Sequence, residues 1–162
     1  MTVRSGIGYD SHRFGDGRRL ILGGVEIAEA DRGLAGHSDA DVLTHAVIDA
    51  LLGAAGQGDI GLHFPDTDPR WRDADSIGLL SEVVAMLDRD GWEVVNVDAT
   101  VVCEAPKLGP YRDAMRERLA EAIGTAVDAV NVKFTTNEAM GFVGRGEGIA
   151  ALASVTVSRR DA

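Results

Sequence analysis

The chain has 162 residues, a formal net charge of −10 and a single cysteine, Cys103. That length suits one domain with a real core. The acidity argues against nucleic acid or an anionic membrane surface as partner, and a lone cysteine excludes both an intrachain disulfide and a multi-cysteine zinc site.

No apolar run approaches the ~18 residues of a membrane span, and "MTVRSGIGYD" has no hydrophobic signal core. A cytoplasmic protein is the expectation. Residues 3–10 read as a strand and residues 18–27, "RRLILGGVEI", as a second strand interrupted by Gly23 and Gly24. The Gly/Asp-rich turn between them predicts a hairpin. Residues 38–55 read as a helix, with Ser38 as cap and Asp41 in the capping-box position. Residues 56–74 form a long Gly/Asp/Pro loop, whose Ile60, Leu62, Phe64 and Trp71 argue against disorder. A second helix follows over Ser76–Asp88, then a β-branched strand over 93–103. Pro110 suits the first turn of a third helix and Gly124 its C-terminal cap. Strands at 130–135 and 148–158 flank a glycine-dense loop. The order predicts a single α/β (α+β) domain over residues 1–162, a two-layer sandwich. Its layers are a mixed four-stranded sheet plus a short hairpin, with helices packed on one face.

The chemistry starts at "GYDSHRF". Positions i and i+2 of a strand point to the same face, so Asp10 and His12 converge. Alone, the pair favours the plainer reading of a turn-capping aspartate beside an exposed histidine. His45 changes the balance. Asp41, His45 and Asp49 are spaced i, i+4, i+8 and form one polar stripe on an otherwise apolar helix, which points to a cleft rather than bulk water. Two histidines and a carboxylate with an open fourth position match the ligand pattern of a catalytic zinc, and the stripe offers a further carboxylate to orient His45. A surface histidine paired to two aspartates is the alternative.

His37 and Ser38 stand at the start of the same helix, where free N–H groups attract anions. In the loop that follows, Asp59, Asp66 and Asp68 suit hydroxyl groups of a sugar or polyol, although Asp68 before Pro69 reads better as an Asx-turn. Thr135, Thr136 and Glu138 in "KFTTNEAMGFVGRGEG" suit a phosphate with Mg²⁺ or Mn²⁺. Arg145 fits a phosphate or an ion pair with Glu147, and "CEAPKLGP" offers Lys107 and a run of loop amides. No Walker motif is present.

The blocks "GYDSHRF", "GHSDADVLTHAVIDALLGAAGQGDIGLHFPDTDP", "APKL" and "TTNEAMGFVGRGEGIA" resemble, in order, the signature blocks of the 2-C-methyl-D-erythritol 2,4-cyclodiphosphate synthase family of non-mevalonate isoprenoid biosynthesis. The resemblance implies zinc on Asp10, His12 and His45, and Mg²⁺ or Mn²⁺ on Glu138. It implies catalytic roles for His37 and Thr136 in transition-state stabilisation, phosphate contacts from Ser38 and Thr135, and substrate contacts from Ser11 and Asn137. Asp59, Ile60 and Gly61 would meet the ribose of a cytidine. The Phe64–Pro65–Asp66–Thr67–Asp68 segment would meet the erythritol. Cys103, Glu104, Ala105, Pro106, Lys107, Leu108 and Gly109 would read cytosine, largely through backbone. Phe142 and Arg145 would lie near the axis of a homotrimer whose active sites sit between subunits. Ala139, Cys103 and Gly109 depart from residues common in the family.

The implied reaction converts 4-diphosphocytidyl-2-C-methyl-D-erythritol 2-phosphate to the cyclic diphosphate with release of CMP. The residues alone leave open a metal-dependent phosphoesterase and a metal- or nucleotide-binding module. The start at Met1 and the short tail suggest a free-standing enzyme rather than part of a fusion with a cytidylyltransferase.

Overall fold

The computed structural model describes residues 1–159. Strand β1 (Thr2–Gly15) runs five residues beyond the expected end, because its alternation continues through the Asp10–His12 pair. It pairs antiparallel over its length with β7 (Gly148–Arg159), from Thr2 opposite Arg159 to Arg13 opposite Gly148. At its far end it also meets the two-residue β4 (Gly33–Leu34). Strand β5 (Glu93–Val102) lies antiparallel on the other side of β7, and β6 (Val130–Thr135) is parallel to β5 at the edge. Among the described residues the main sheet thus has the order β4–β1–β7–β5–β6. Four strands match the expected mixed sheet; the fifth is the short β4.

The expected hairpin between 3–10 and 18–27 does not form. β1 takes β7 as its partner, while β2 (Ile21–Leu22) and β3 (Val25–Glu26) make a separate two-stranded hairpin. Gly23 and Gly24, at φ 57° and 71°, supply the two left-handed residues that a tight primed turn demands. The "interruption" is therefore the hairpin's own turn.

Helix α1 (Val42–Ala55) is buried almost all round and packs on the sheet. It starts at Val42, not Ser38. Ala40 has φ 57°, which breaks the helical path and leaves Asp41 as the cap. Asp41 is fully buried. Its Oδ1 accepts from Gly23 N (2.9 Å) and Thr44 N (3.0 Å), and its Oδ2 from Gly24 N (2.7 Å) and the Thr44 hydroxyl (2.7 Å). Burial, with the charge of Asp39, pushes its pKa up against the hydrogen bonds from Thr44 and Gly24. Asp41 therefore belongs to the core, tying the β2–β3 turn to α1, and is not part of an open stripe. Asp41→Ala strands three N–H groups, two of them buried, and removes a cap, so it should cost about 3 kcal/mol of unfolding free energy. Urea unfolding at matched protein concentration checks this; an unchanged midpoint would refute it.

The remaining helices are α2 (Ile60–His63), α3 (Ser76–Arg89), α4 (Arg112–Ile123) and α5 (Gly141–Gly144). Two of them, α2 and α5, are single turns inside the stretches read as loops. Pro110 sits in a 3₁₀ turn (Gly109–Tyr111) leading into α4, and Gly124 caps α4 as expected, at φ 76°. The inner sheet face is lined by Val97, Ala99, Val101, Ala151, Ala153 and Val155. The opposite face leaves Val3, Ile7, Tyr9 and Leu152 exposed, Ile7 by 76%. Among the described residues no helix is long and apolar enough to cross a membrane.

Candidate functional site

The C-terminal half of β1 and the first turn of α1 bring Asp10, His12 and His45 together. Asp10 Oδ2 lies 2.9 Å from His12 Nε2 and 3.0 Å from His45 Nδ1, and the two ring nitrogens are 3.2 Å apart. For a tetrahedral ion with bonds near 2.0 Å, neighbouring ligand atoms stand about 3.3 Å apart. The triangle is thus already close to the size of a divalent-metal site, and its donors all lie within 4.8 Å of one another. Each imidazole is held from behind. His12 Nδ1 donates to the Ala35 carbonyl at 2.9 Å, which leaves Nε2 as a donor atom for metal. His45 Nε2 lies 2.8 Å from the Ser76 hydroxyl and 3.2 Å from that of Ser38.

Burial of the Asp10 carboxyl opposes its ionisation. Hydrogen bonds and charge from His12 and His45 outweigh that effect and hold its pKa down at about 2. Burial likewise pulls the His12 pKa down, but Asp10 and the Ala35 carbonyl lift it above the ordinary histidine value. Two imidazoles and one ionised carboxylate with an open side fit a divalent metal.

The cluster opens into a cleft of about 500 Å³, lined also by His37, Ser38, Ile60, Gly61, Phe64, Pro65, Asp66, Trp71 and Leu79. The loop bearing His37 is bracketed. Arg18 donates to the carbonyls of Gly36 (2.9 Å) and Ser38, and Asp73 N–H donates to the His37 carbonyl (2.8 Å). Asp49, third member of the expected stripe, accepts from Ile60 N at 2.8 Å and so anchors α2 at the cleft rim. Phe64 and Trp71 meet edge to face at 4.9 Å and form one wall. Asp59 caps α2 through Leu62 N (3.0 Å). Asp68 accepts from Arg70 N (2.9 Å) and pairs with the Arg70 guanidinium, which bears out the Asx-turn reading. Neither Thr67 nor Asp68 lines the cleft, and Ser11, on the strand position between Asp10 and His12, is exposed on the other face.

A second cleft, of about 410 Å³, opens at the C-terminal ends of β5 and β6. Cys103, Glu104, Pro106, Lys107, Leu108, Gly109, Thr135, Thr136 and Glu138 line it, with Arg112 and Phe134. The Thr136 hydroxyl donates to Glu138 Oε1 (2.9 Å), and Asn137 N–H donates to Glu104 Oε1 (2.7 Å). Glu104 thus fastens the two loops to each other. Glu138 and Ala139 both hold left-handed φ, 51° and 60°, a strain typical of functional loops. Burial pushes the Cys103 thiol up to about 11, so it stays neutral beside the Ala105 carbonyl, 3.1 Å away. Phe142 and Arg145 lie outside both clefts, and Arg145 pairs with Glu147 at 2.6 Å. The two clefts share no lining residue.

Sequence reasoning did not single out Leu79, Arg112 or Phe134, and took Trp71 only as a sign of order. Leu79 and Arg112 read as ordinary positions of helix surfaces, and Phe134 as a strand residue. Only the fold turns them toward a cleft.

A family model, YgbB, matches residues 3–158. The chain belongs to the YgbB family. Several of its relatives are named 2-C-methyl-D-erythritol 2,4-cyclodiphosphate synthase and others bifunctional IspD/IspF enzymes. The 2-C-methyl-D-erythritol 2,4-cyclodiphosphate synthase of Salinibacter ruber is 59% identical over 96% of this chain and 98% of its own length. Among solved structures, the bifunctional IspDF of Campylobacter jejuni superposes with a TM-score of 0.94 at 42% identity, over 99% of this chain and 43% of that one. The Plasmodium falciparum IspF–CDP complex gives 0.85 at 27% identity, covering 98% and 97%. The chain spans 42% of a bifunctional IspD/IspF enzyme of Erythrobacter litoralis, 53% identical over 99% of this chain. It therefore corresponds to less than half of the bifunctional relatives and nearly all of the monofunctional ones.

Proposed function

We propose that residues 1–162 form a single cytoplasmic cyclodiphosphate synthase domain. It closes 4-diphosphocytidyl-2-C-methyl-D-erythritol 2-phosphate to 2-C-methyl-D-erythritol 2,4-cyclodiphosphate and releases CMP. The observation that carries this is the Asp10–His12–His45 donor set opening beside the bracketed His37–Ser38 loop in one cleft. Family membership supplies the substrate.

An oxygen of the 2-phosphate attacks the β-phosphorus, the bond to the CMP oxygen breaks, and the eight-membered ring closes. The nucleophile is already an anion, so no strong base is required. The obstacle is charge. Two unit charges about 4 Å apart repel by roughly 4 kcal/mol at an effective dielectric near 20. When bound, Zn²⁺ at the Asp10 cluster and Mg²⁺ or Mn²⁺ at Glu138 would offset that repulsion and polarise the diphosphate. The chain's own groups position the ends. His37 and Ser38 hold phosphate at the cleft, while His37 and Thr136 meet the charge that develops in the transition state. Asp66, in the same cleft as the Phe64–Trp71 wall, takes erythritol hydroxyls, and Asp59, Ile60 and Gly61 take the ribose. The 103–109 loop takes cytosine, and Thr135 to Glu138 clamp the diphosphate.

The clefts have no residue in common, which favours sites completed by a neighbouring copy. The exposed Ile7, Tyr9 and Leu152 on the uncovered sheet face give such copies an apolar surface to bury. The resemblance to the cyclodiphosphate synthase family adds that the assembly is a homotrimer with Phe142 and Arg145 toward its axis. ³¹P NMR of the purified protein with the diphosphocytidyl substrate should show CMP and a cyclic diphosphate, and nothing once a chelator is added. Inorganic phosphate as product would favour a phosphoesterase instead, and binding without turnover a non-enzymatic module.

A further inference from the structure

The stripe is expected to offer a carboxylate that orients His45, yet Asp41 serves the core and Asp49 anchors α2. A different pair stands behind the ring. Ser76, the first residue of α3, is fully buried, and its hydroxyl lies 2.8 Å from His45 Nε2. The same hydroxyl donates to Asp39 Oδ1, and Ser76 N–H donates to Asp39 Oδ2 at 3.0 Å. A serine hydroxyl has one proton. Once that proton is given to Asp39, the oxygen can only accept from the imidazole, so Nε2 must carry hydrogen. The rival hydroxyl, Ser38, is farther from Nε2 at 3.2 Å and already accepts from Ala40 N.

We propose that Ser76 and Asp39 are positioning residues that fix His45 in its Nε2–H form, with the Nδ1 lone pair aimed at the divalent metal. This rests on the metal reading of the Asp10–His12–His45 cluster. Asp39 precedes α1 and Ser76 opens α3, so the ligand's orientation is set by how these two helices meet. The carboxylate at the end of the relay makes Ser76 a committed acceptor, and a serine without it could rotate to present its proton to the ring.

Two measurements test the relay. Long-range ¹H–¹⁵N NMR of the Zn²⁺-loaded wild-type protein should show His45 bound through Nδ1 with hydrogen on Nε2; a ring bound through Nε2 overturns the proposal with no variant needed. Zn²⁺ titration against a chromophoric chelator should show Ser76→Ala binding about 10–100-fold more weakly than wild type. The Ser76 N–H bond to Asp39 survives that change, so a hydroxyl with a merely structural role would leave the Zn²⁺ affinity unmoved. Equal affinities overturn the relay alone. A wild-type protein that binds no Zn²⁺ overturns the metal reading beneath it.

Discussion

His45→Ala should abolish Zn²⁺ binding and lower turnover by about 10⁴-fold, equivalent to roughly 5 kcal/mol of lost transition-state stabilisation. The size of the effect follows from the geometry. His45 Nδ1 is one corner of a triangle whose sides are 2.9, 3.0 and 3.2 Å. Without it Asp10 and His12 remain 2.9 Å apart, free to satisfy each other as an ion pair. Two ligands that prefer each other make a poor metal site, so the loss should be nearly complete. Burial of His45, at 8% exposure, means the variant also opens a small cavity beside Ser76. Metal content by mass spectrometry, turnover by CMP release and a far-ultraviolet CD spectrum separate these effects. The expected variant is folded, metal-free and inactive. An active variant with a full complement of zinc would sink the metal assignment.

How far such a site can be read from sequence depends on which physical rule places each residue. Asp10 and His12 are legible because the strand period alone sets them side by side. His45 is legible because a polar side chain inside an apolar helix needs a partner. The rest of the stripe misleads for a definite reason. Helical spacing puts Asp41, His45 and Asp49 in one angular sector, but α1 is buried almost all round, so each level of that sector faces a different neighbour. Asp41 meets the β2–β3 turn, His45 meets the end of β1, and Asp49 meets α2. The hairpin error has the same origin. Residues 3–10 and 18–27 are adjacent in sequence and carry a turn between them, whereas β1 pairs with a strand at the opposite end of the chain. Nothing local encodes that choice. Ser76 and Asp39 were visible only as a helix start and a residue near one; their joint role needs α1 and α3 in contact. The loops were placed well because Gly/Asp/Pro-rich stretches must lie outside regular elements, even though single turns of helix form within them.

Gly8→Ala should weaken both the fold and the site, although Gly8 touches no ligand. A methyl group there would lie 1.9 Å from the Ala46 carbonyl oxygen and 2.8 Å from Ala50 N, and one at Gly6 would lie 2.0 Å from the Ala50 carbonyl oxygen. The backbone of α1 rests directly on β1, with Ala46, Ala50 and Ala54 facing the two glycines. Restoring an ordinary contact requires a separation of about 1.5 Å, and the obstacle is backbone, which cannot rotate away. Ala46 follows His45 directly, and Asp10 and His12 follow Gly8 on the strand. The same displacement therefore enters the ligand triangle, whose sides leave no such slack. Unfolding free energy should fall by about 3 kcal/mol, and Zn²⁺ affinity in the folded protein by tenfold or more. Gly78→Ala provides the contrast. It is the same substitution inside α3, with no neighbouring atom within 4 Å, and should be stabilising by about 0.5–1 kcal/mol with Zn²⁺ affinity unchanged. If Gly8→Ala matched Gly78→Ala in both measurements, the direct seating of α1 on β1 would not be what holds His45 against Asp10 and His12.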